Sequence, residues 1–140
     1  GDSWKGATDM TESTIKAVLP RDIKRVWDTV TSLDHYEWRG DLDRIEIQDD
    51  KTFIEHTKSG YSTVFTVTAC IPMERWEFDM ENDNISGHWI GIFSENSGQT
   101  TVDFTEQVTV KKAVMKPFAK MYLKKQQSAY IRDLKKELGK

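Results

Sequence analysis

With a single cysteine, Cys70, in 140 residues, no intrachain disulfide can form, and a reducing cytoplasm is the expected setting. A surplus of charge is also missing. Twenty Lys and Arg stand against 23 Asp and Glu, mixed along the chain, and the net charge of −3 gives no general electrostatic case for nucleic acid. No apolar run approaches the roughly 20 residues that span a bilayer, so no integral membrane contact is expected. The opening GDSWKGATDM lacks the basic-then-apolar layout of a signal peptide. Repeats, low-complexity stretches and linkers are absent, which leaves one domain with one core. No Gly-rich phosphate loop or nucleophilic serine elbow occurs. His35, His56 and His88 lie on different elements without metal-ligand spacing to Cys70, so neither metal nor cofactor is expected. Each histidine reads as surface or half-buried, and Cys70 as an inert small side chain.

Aromatics are plentiful. Five Trp and six Phe in so short a chain either fill a dense core or line a cavity.

The first element is a strand, STIKAVL, with Ile15, Ala17 and Leu19 on one face by period-two alternation. Pro20 stops it and suits the opening of a helix, with Asp22 favourable near the positive helix end. Ile23, Val26, Trp27 and Val30 then form one apolar helical stripe. Ser32 reads as the N-cap of a second short helix through Leu33 and Tyr36, ended by Gly40. Six strand-like runs follow, joined by short turns: LDRIEIQ, TFIEHT, YSTVFTVTACI, RWEFDME, ISGHWIGIF and TTVDFTEQVTV. In the third run Tyr61, Phe65, Val67, Ala69 and Ile71 share one face. An antiparallel meander is the economical arrangement. From Met115 to Leu138 the period changes to that of one long helix, with Pro117 in its first turn. Phe118, Ala119, Tyr122, Tyr130, Ile131, Leu134 and Leu138 form its apolar stripe. The lysines beside that stripe read as a solvated face, with a weak anionic-membrane contact as the sharper alternative.

This order, with the stretches VWDTVTSLDHYEWRGDL, RWEFDMEN, GHWIGIF, TTVDFTE and YLKKQQSAYIRDLKKEL, resembles the SRPBCC superfamily of START and birch-pollen-allergen-like proteins. The polyketide cyclase/dehydrase and lipid-transport branch is the nearest likeness. The resemblance covers nearly everything from about Thr11. It implies an α+β helix-grip fold: a curved antiparallel sheet of about seven strands wrapped around the long C-terminal helix, with two short helices after the first strand. It also implies a cavity between sheet and helix that holds an apolar small molecule such as a lipid, sterol or polyketide. Residues 1–10 are expected to be an extension or a remnant of preparation, with Met10 a fitting native start. Residues 11–140 form the single ligand-binding domain.

Candidate site residues follow from which face each occupies. Val102, Phe104, Glu106, Val108 and Val110 alternate with Thr101, Asp103, Thr105, Gln107 and Thr109, so Glu106 should point inward. An isolated buried carboxylate is costly and should be paired, hydrogen-bonded or protonated. Arg39, in the crowded stretch HYEWRGD, is its candidate partner in a structural ion pair. A ligand-orienting or catalytic carboxyl is the alternative, and exchanged faces are a third. Glu55 is placed towards solvent. Gly87 and Gly91 flank Trp89 and allow either tight packing with curvature or open room above the sheet. The expected cavity lining is Trp38, Phe65, Trp76, Phe78, Trp89, Phe104, Glu106, Phe118, Ala119 and Tyr122.

The leading expectation is a non-catalytic binding or carrier domain for a small apolar molecule. A cyclase/aromatase-type enzyme is the alternative, with Glu106, Tyr122 and Tyr61 as its candidate catalytic groups. An interaction module is the third reading and would need a large exposed apolar patch. The oligomeric state, monomer or dimer, stays open.

Overall fold

A computed structural model describes residues 10–140. The expected N-terminal extension therefore lies outside the described residues, apart from Met10, which opens the first strand. The elements are β1 (Met10–Leu19), α1 (Ile23–Thr31), β2 (Leu42–Ile47), β3 (Thr52–Thr57), β4 (Ser62–Ile71), β5 (Arg75–Glu81), β6 (Ile85–Asn96) and β7 (Gln99–Val110). A 3-10 turn (Ala113–Phe118) then leads into the 20-residue α2 (Ala119–Leu138). All seven strands make one antiparallel sheet in the order β1-β7-β6-β5-β4-β3-β2. Strands β2 to β7 form a meander, and β1 closes on β7 over its full length, Met10 opposite Thr109 to Leu19 opposite Thr100. This is the α+β helix-grip architecture.

Each strand buries one parity of residues, as alternation requires. Trp76, Phe78 and Met80 of β5 face Gly91, Trp89 and Gly87 of β6, which face Phe104, Glu106 and Val108 of β7. α1 packs Val26, Trp27 and Val30 under one end of the sheet, where Trp27 meets Phe93 edge-on at 4.9 Å. The core continues through Leu19, Val102, Ile131, Leu134 and Leu138.

Three details differ from the sequence reading. The second short helix does not form. The Ser32 hydroxyl accepts the N–H groups of Asp34 and His35 as a cap would, but the chain runs on in turns to Gly40. Contacts made by Trp38 and Arg39 to other elements hold it there, overriding the local helix signal. A bulge between Val67 and Ala69 shifts the β4 register, and Ile71 is left exposed. Finally, α2 starts at Ala119 rather than Met115 because Pro117 sits within the 3-10 turn. The buried helix face is then Ala119, Leu123, Gln127, Ile131, Leu134 and Leu138, while Phe118 and Tyr122 lie outside it.

Candidate functional site

The concave face of the sheet is sealed at one end and open at the other. Towards α1 its inward residues Leu19, Phe93 and Val102 are buried. Towards the opposite end burial is mixed: Met80 and Val108 stay buried, whereas Thr63, Asn82, Ile85, Glu106 and Val110 are only half-buried. α2 lies chiefly along β1, with Ala119 and Leu123 of its first turns buried. Its polar anchor is Gln127, whose Oε1 accepts the Ser13 hydroxyl at 2.7 Å and whose Nε2 donates to the Ser13 carbonyl at 2.8 Å. A long polar side chain in the middle of a buried stripe thus pins the helix to β1 with its hydrogen bonds satisfied.

An aromatic floor occupies the middle of the concave face. Phe78 stacks on Trp89 with ring centroids 4.9 Å apart and planes within 4°, and Phe53 stacks on Phe65 at 5.1 Å. Trp76 meets both Phe78 and Trp89 edge-on, and Phe104 lies 4.8 Å from Trp89. Such pairs each add about 0.5–1.5 kcal/mol beyond area burial, so the floor is also a structural unit. The room above Gly91 is filled: a Cβ there would stand 2.6 Å from the Trp89 ring, which lies across the glycine. At Gly87 an added Cβ would collide with the backbone of β7. The two glycines serve close packing, so any space for a ligand lies above the rings.

The charged stretch after α1 reaches this interior. Arg39 Nη1 donates to Glu55 Oε2 at 2.7 Å and Nη2 to Glu55 Oε1 at 3.0 Å, a bidentate pair with both side chains largely buried. Nη2 also lies 3.4 Å from Asp41, and the guanidinium sits 5.4 Å from the centre of the Tyr130 ring. Trp38 packs edge-on against the same ring at 5.3 Å. Asp133 of α2 accepts the Gly40 N–H at 3.0 Å and ties the turn to the helix. Burial opposes the charge of Arg39, yet the Glu55 charge and hydrogen bonds hold its pKa above the ordinary value. Burial and the Glu55 charge push the Tyr130 phenol up despite the opposing pull of Arg39. The Arg39 Nε–H has no partner among the described residues.

The pairing read from the sequence is therefore corrected: Arg39 is bound to Glu55, and Glu55 faces the interior rather than solvent. The β3 strand turns Phe53 and Glu55 inward together, and Glu55 reaches the guanidinium before Glu106 can. Glu106 lies on β7 between Trp89 and Ser13 in register, with no hydrogen bond or ion pair among the described residues. Its pKa is pushed from the ordinary 4.5 to about 7, first by burial, then by the Glu55 charge, with Arg39 pulling the other way. The Tyr122 phenol is raised by burial and by the charges of Glu106, Tyr61 and Asp41. Glu106, Tyr122 and Tyr61 thus share one electrostatic neighbourhood at the open end.

The remaining expected lining residues separate into two groups. Phe65, Trp76, Phe78, Trp89, Phe104 and Ala119 are buried, and Trp38 is half-buried. Phe118 and Tyr122, and with them the catalytic candidate Tyr61, are 59%, 58% and 55% exposed, so they can only rim the opening. The late start of α2 explains the first two, and Tyr61 precedes β4 in a turn. A hollow of about 710 Å3 is an open trough on the outer face, lined by residues such as Val64, Thr66, Asp79 and His88. Its wall surface is mostly apolar, with Met10 and Val64 among Thr, Gln and charged side chains, and Glu106 is not part of its lining. In that trough His88 bonds Asp79 at 2.7 Å and Glu77 at 2.8 Å; burial opposes its charge, but these carboxylates raise its pKa. Cys70 is exposed. Among the described residues no group of three or more His, Cys, Asp or Glu is placed to hold a metal, and no helix is long and apolar enough to cross a membrane.

No protein-family model matches the chain, and no curated protein matches it in sequence. Solved structures do match. A conserved protein from Geobacillus kaustophilus is similar over 92% of this chain and 95% of its own, with TM-score 0.81 at 12% identity. A START superfamily protein from Mycobacterium smegmatis is similar over 93% and 97%, with TM-score 0.79 at 10% identity. DynU16, a protein of the dynemicin biosynthetic locus, matches 91% of this chain at TM-score 0.73 and 11% identity. This chain spans about half of that protein, 47% of its length. The shared architecture is that of the START-like helix-grip fold.

Proposed function

We propose that this domain binds a small, largely apolar molecule in the open end of the concave face, above the Trp89–Phe78 floor and against Glu106. One observation carries the reading. Glu106 is an inward, half-buried carboxyl opposite Trp89, with no side-chain hydrogen bond or ion pair among the described residues, at an end where several inward residues are only half-buried. A domain built only for stability would pair such a group or replace it, since a desolvated carboxyl without a partner costs stability. An apolar pocket with a few orienting polar groups is the usual form of a small-molecule site. A START superfamily protein and a biosynthetic-locus protein among the structural neighbours support this reading by analogy of fold. A reducing compartment suits the lone exposed Cys70.

Native mass spectrometry of the protein purified from its own source tests the proposal. A reproducible adduct released on denaturation is expected. The bare chain mass in every preparation, with no change in tryptophan emission on adding apolar probes, contradicts it.

A second reading has its own support. A carboxyl titrating near 7 beside the Tyr122 phenol has the poise that general acid–base catalysis needs. In a cyclase-type reaction Glu106 would take or give the proton while the rings hold the chain folded. Conversion of a bound poly-carbonyl chain that is lost in Glu106→Gln would favour this reading over carriage alone.

A further inference from the structure

The 3-10 turn and the first turns of α2 form an exposed surface that is both apolar and basic. Among the described residues, Val114, Phe118, Met121 and Tyr122 are exposed large apolar side chains within nine positions, Val114 at 75% and Met121 at 65%. Phe118 (the N-cap of α2), Met121, Tyr122 and Lys125 follow i, i+3, i+4, i+7 spacing. They share the side of the helix opposite the buried Ala119, Leu123 and Gln127. The same stretch holds Lys111, Lys112, Lys116, Lys120, Lys124 and Lys125. No Asp or Glu occurs between Glu106 and Asp133, although the chain as a whole is acidic. Two of these lysines are engaged by neighbouring strands: Lys111 lies 3.6 Å from Glu81, and Lys120 donates to the Glu12 carbonyl. Lys112, Lys124 and Lys125 are exposed and form no ion pair among the described residues.

We propose that this surface docks the protein peripherally on an anionic lipid bilayer. Val114, Phe118 and Met121 enter the headgroup layer, the lysines meet lipid phosphates, and Tyr122 sits at headgroup level, where an amphipathic ring is favoured. Apolar tips interleaved with lysines match a surface that offers negative charge above a hydrocarbon layer. A nucleic acid would engage the lysines and leave Phe118 and Met121 in water. An apolar protein groove would take those tips but desolvate the lysines beside them. Each lysine brought near an anionic leaflet strengthens binding about fivefold, so Lys112, Lys124 and Lys125 together supply about a hundredfold. The same leaflet repels the acidic remainder of the chain, which turns the basic surface towards the lipid. Docking stands apart from the ligand reading above: it needs no cavity, and either can hold without the other.

Co-sedimentation with sucrose-loaded vesicles tests this, with phosphatidylcholine alone and with about one third phosphatidylglycerol, at about 0.1 M and about 0.5 M salt. Binding to the anionic vesicles is expected to be at least about tenfold tighter than to the neutral ones, and to weaken at least about tenfold at the higher salt. Lys124→Gln with Lys125→Gln should weaken it about tenfold or more. Lys135→Gln with Lys136→Gln removes equal charge at the far end of the same helix and should change it by less than about twofold. Phe118→Ser with Met121→Ser should weaken it about tenfold at unchanged charge. All these side chains are exposed, and the lipid and salt comparison in the unaltered protein stands should a variant fold poorly. Equal binding to both vesicle types, or equal losses from the two lysine pairs, overturns the proposal. So does binding to a DNA duplex as tight as to anionic vesicles and indifferent to Phe118→Ser with Met121→Ser, which would mark a nucleic-acid surface instead.

Discussion

Replacing Glu106 with glutamine should stabilise the protein above neutral pH. The carboxyl's pKa is about 7 in the folded chain against an ordinary 4.5, raised chiefly by burial. A carboxyl whose pKa is raised on folding binds its proton more tightly in the folded state, so stability is present below the lower value and lost as pH rises towards the higher one. Each pH unit of that gap is worth about 1.4 kcal/mol, which makes the loss about 3 kcal/mol. For a domain of this size 1 kcal/mol moves the melting temperature by about 3–4 °C, so this residue alone costs about 10 °C by pH 8. Glutamine keeps the shape and cannot ionise. Urea unfolding of both proteins at intervals from pH 4.5 to 8.5 isolates Glu106, because every other titrating group cancels in the difference. The expected difference is small at the acid end and grows to about 2–3 kcal/mol in favour of Glu106→Gln. A difference that stays constant with pH, or one that favours glutamate at pH 8, would refute the argument that this carboxyl is desolvated and unpaired.

Arg39→Met should cost about 3–5 kcal/mol because it strands the buried Glu55 carboxylate. In double-mutant cycles its coupling to Glu55→Gln should exceed about 1.5 kcal/mol and exceed its coupling to Glu106→Gln; the reverse order would restore the Arg39–Glu106 pairing. Gln127→Leu leaves the Ser13 hydroxyl and carbonyl without partners and should cost about 1–3 kcal/mol by chemical denaturation. Gly91→Ala pushes a methyl into the Trp89 ring and should cost about 1–3 kcal/mol while shifting tryptophan emission; an unperturbed spectrum would mean that the ring does not lie across the glycine.

Alternation alone was enough to read most of the sheet. RWEFDME and TTVDFTEQVTV show their inward residues directly, and the inward parity of Glu106 follows from Val102, Phe104 and Val108 around it. Less legible were features that depend on two distant elements meeting. In TFIEHT, Phe53 and Ile54 are both apolar, so the strand carries no clear parity signal, and Glu55 was placed outside when its partner lies 16 residues upstream. The Ser32 cap signal is locally real, but the Trp38–Tyr130 and Arg39–Glu55 contacts outweigh the few tenths of a kcal/mol per residue of helix propensity. Gln127 was passed over because it is polar, although it falls on the same 3.6-residue stripe as Leu123 and Ile131; a polar residue in a buried stripe is itself a sign of a specific partner. Pro117 could have flagged the late start of α2 and, with it, the exposure of Phe118 and Tyr122.

The central claim is that a ligand lies over the aromatic floor at the open end of the concave face. Intermolecular nuclear Overhauser effects between 2-(2-naphthyl)ethanol, a neutral aromatic probe, and the isotope-labelled protein test it most directly. Contacts from the naphthalene protons to Trp89, Ile85 and Tyr122 are the result this account predicts. Contacts confined to Val64, Thr66 and His88 in the outer trough, or none at saturating probe, would contradict it.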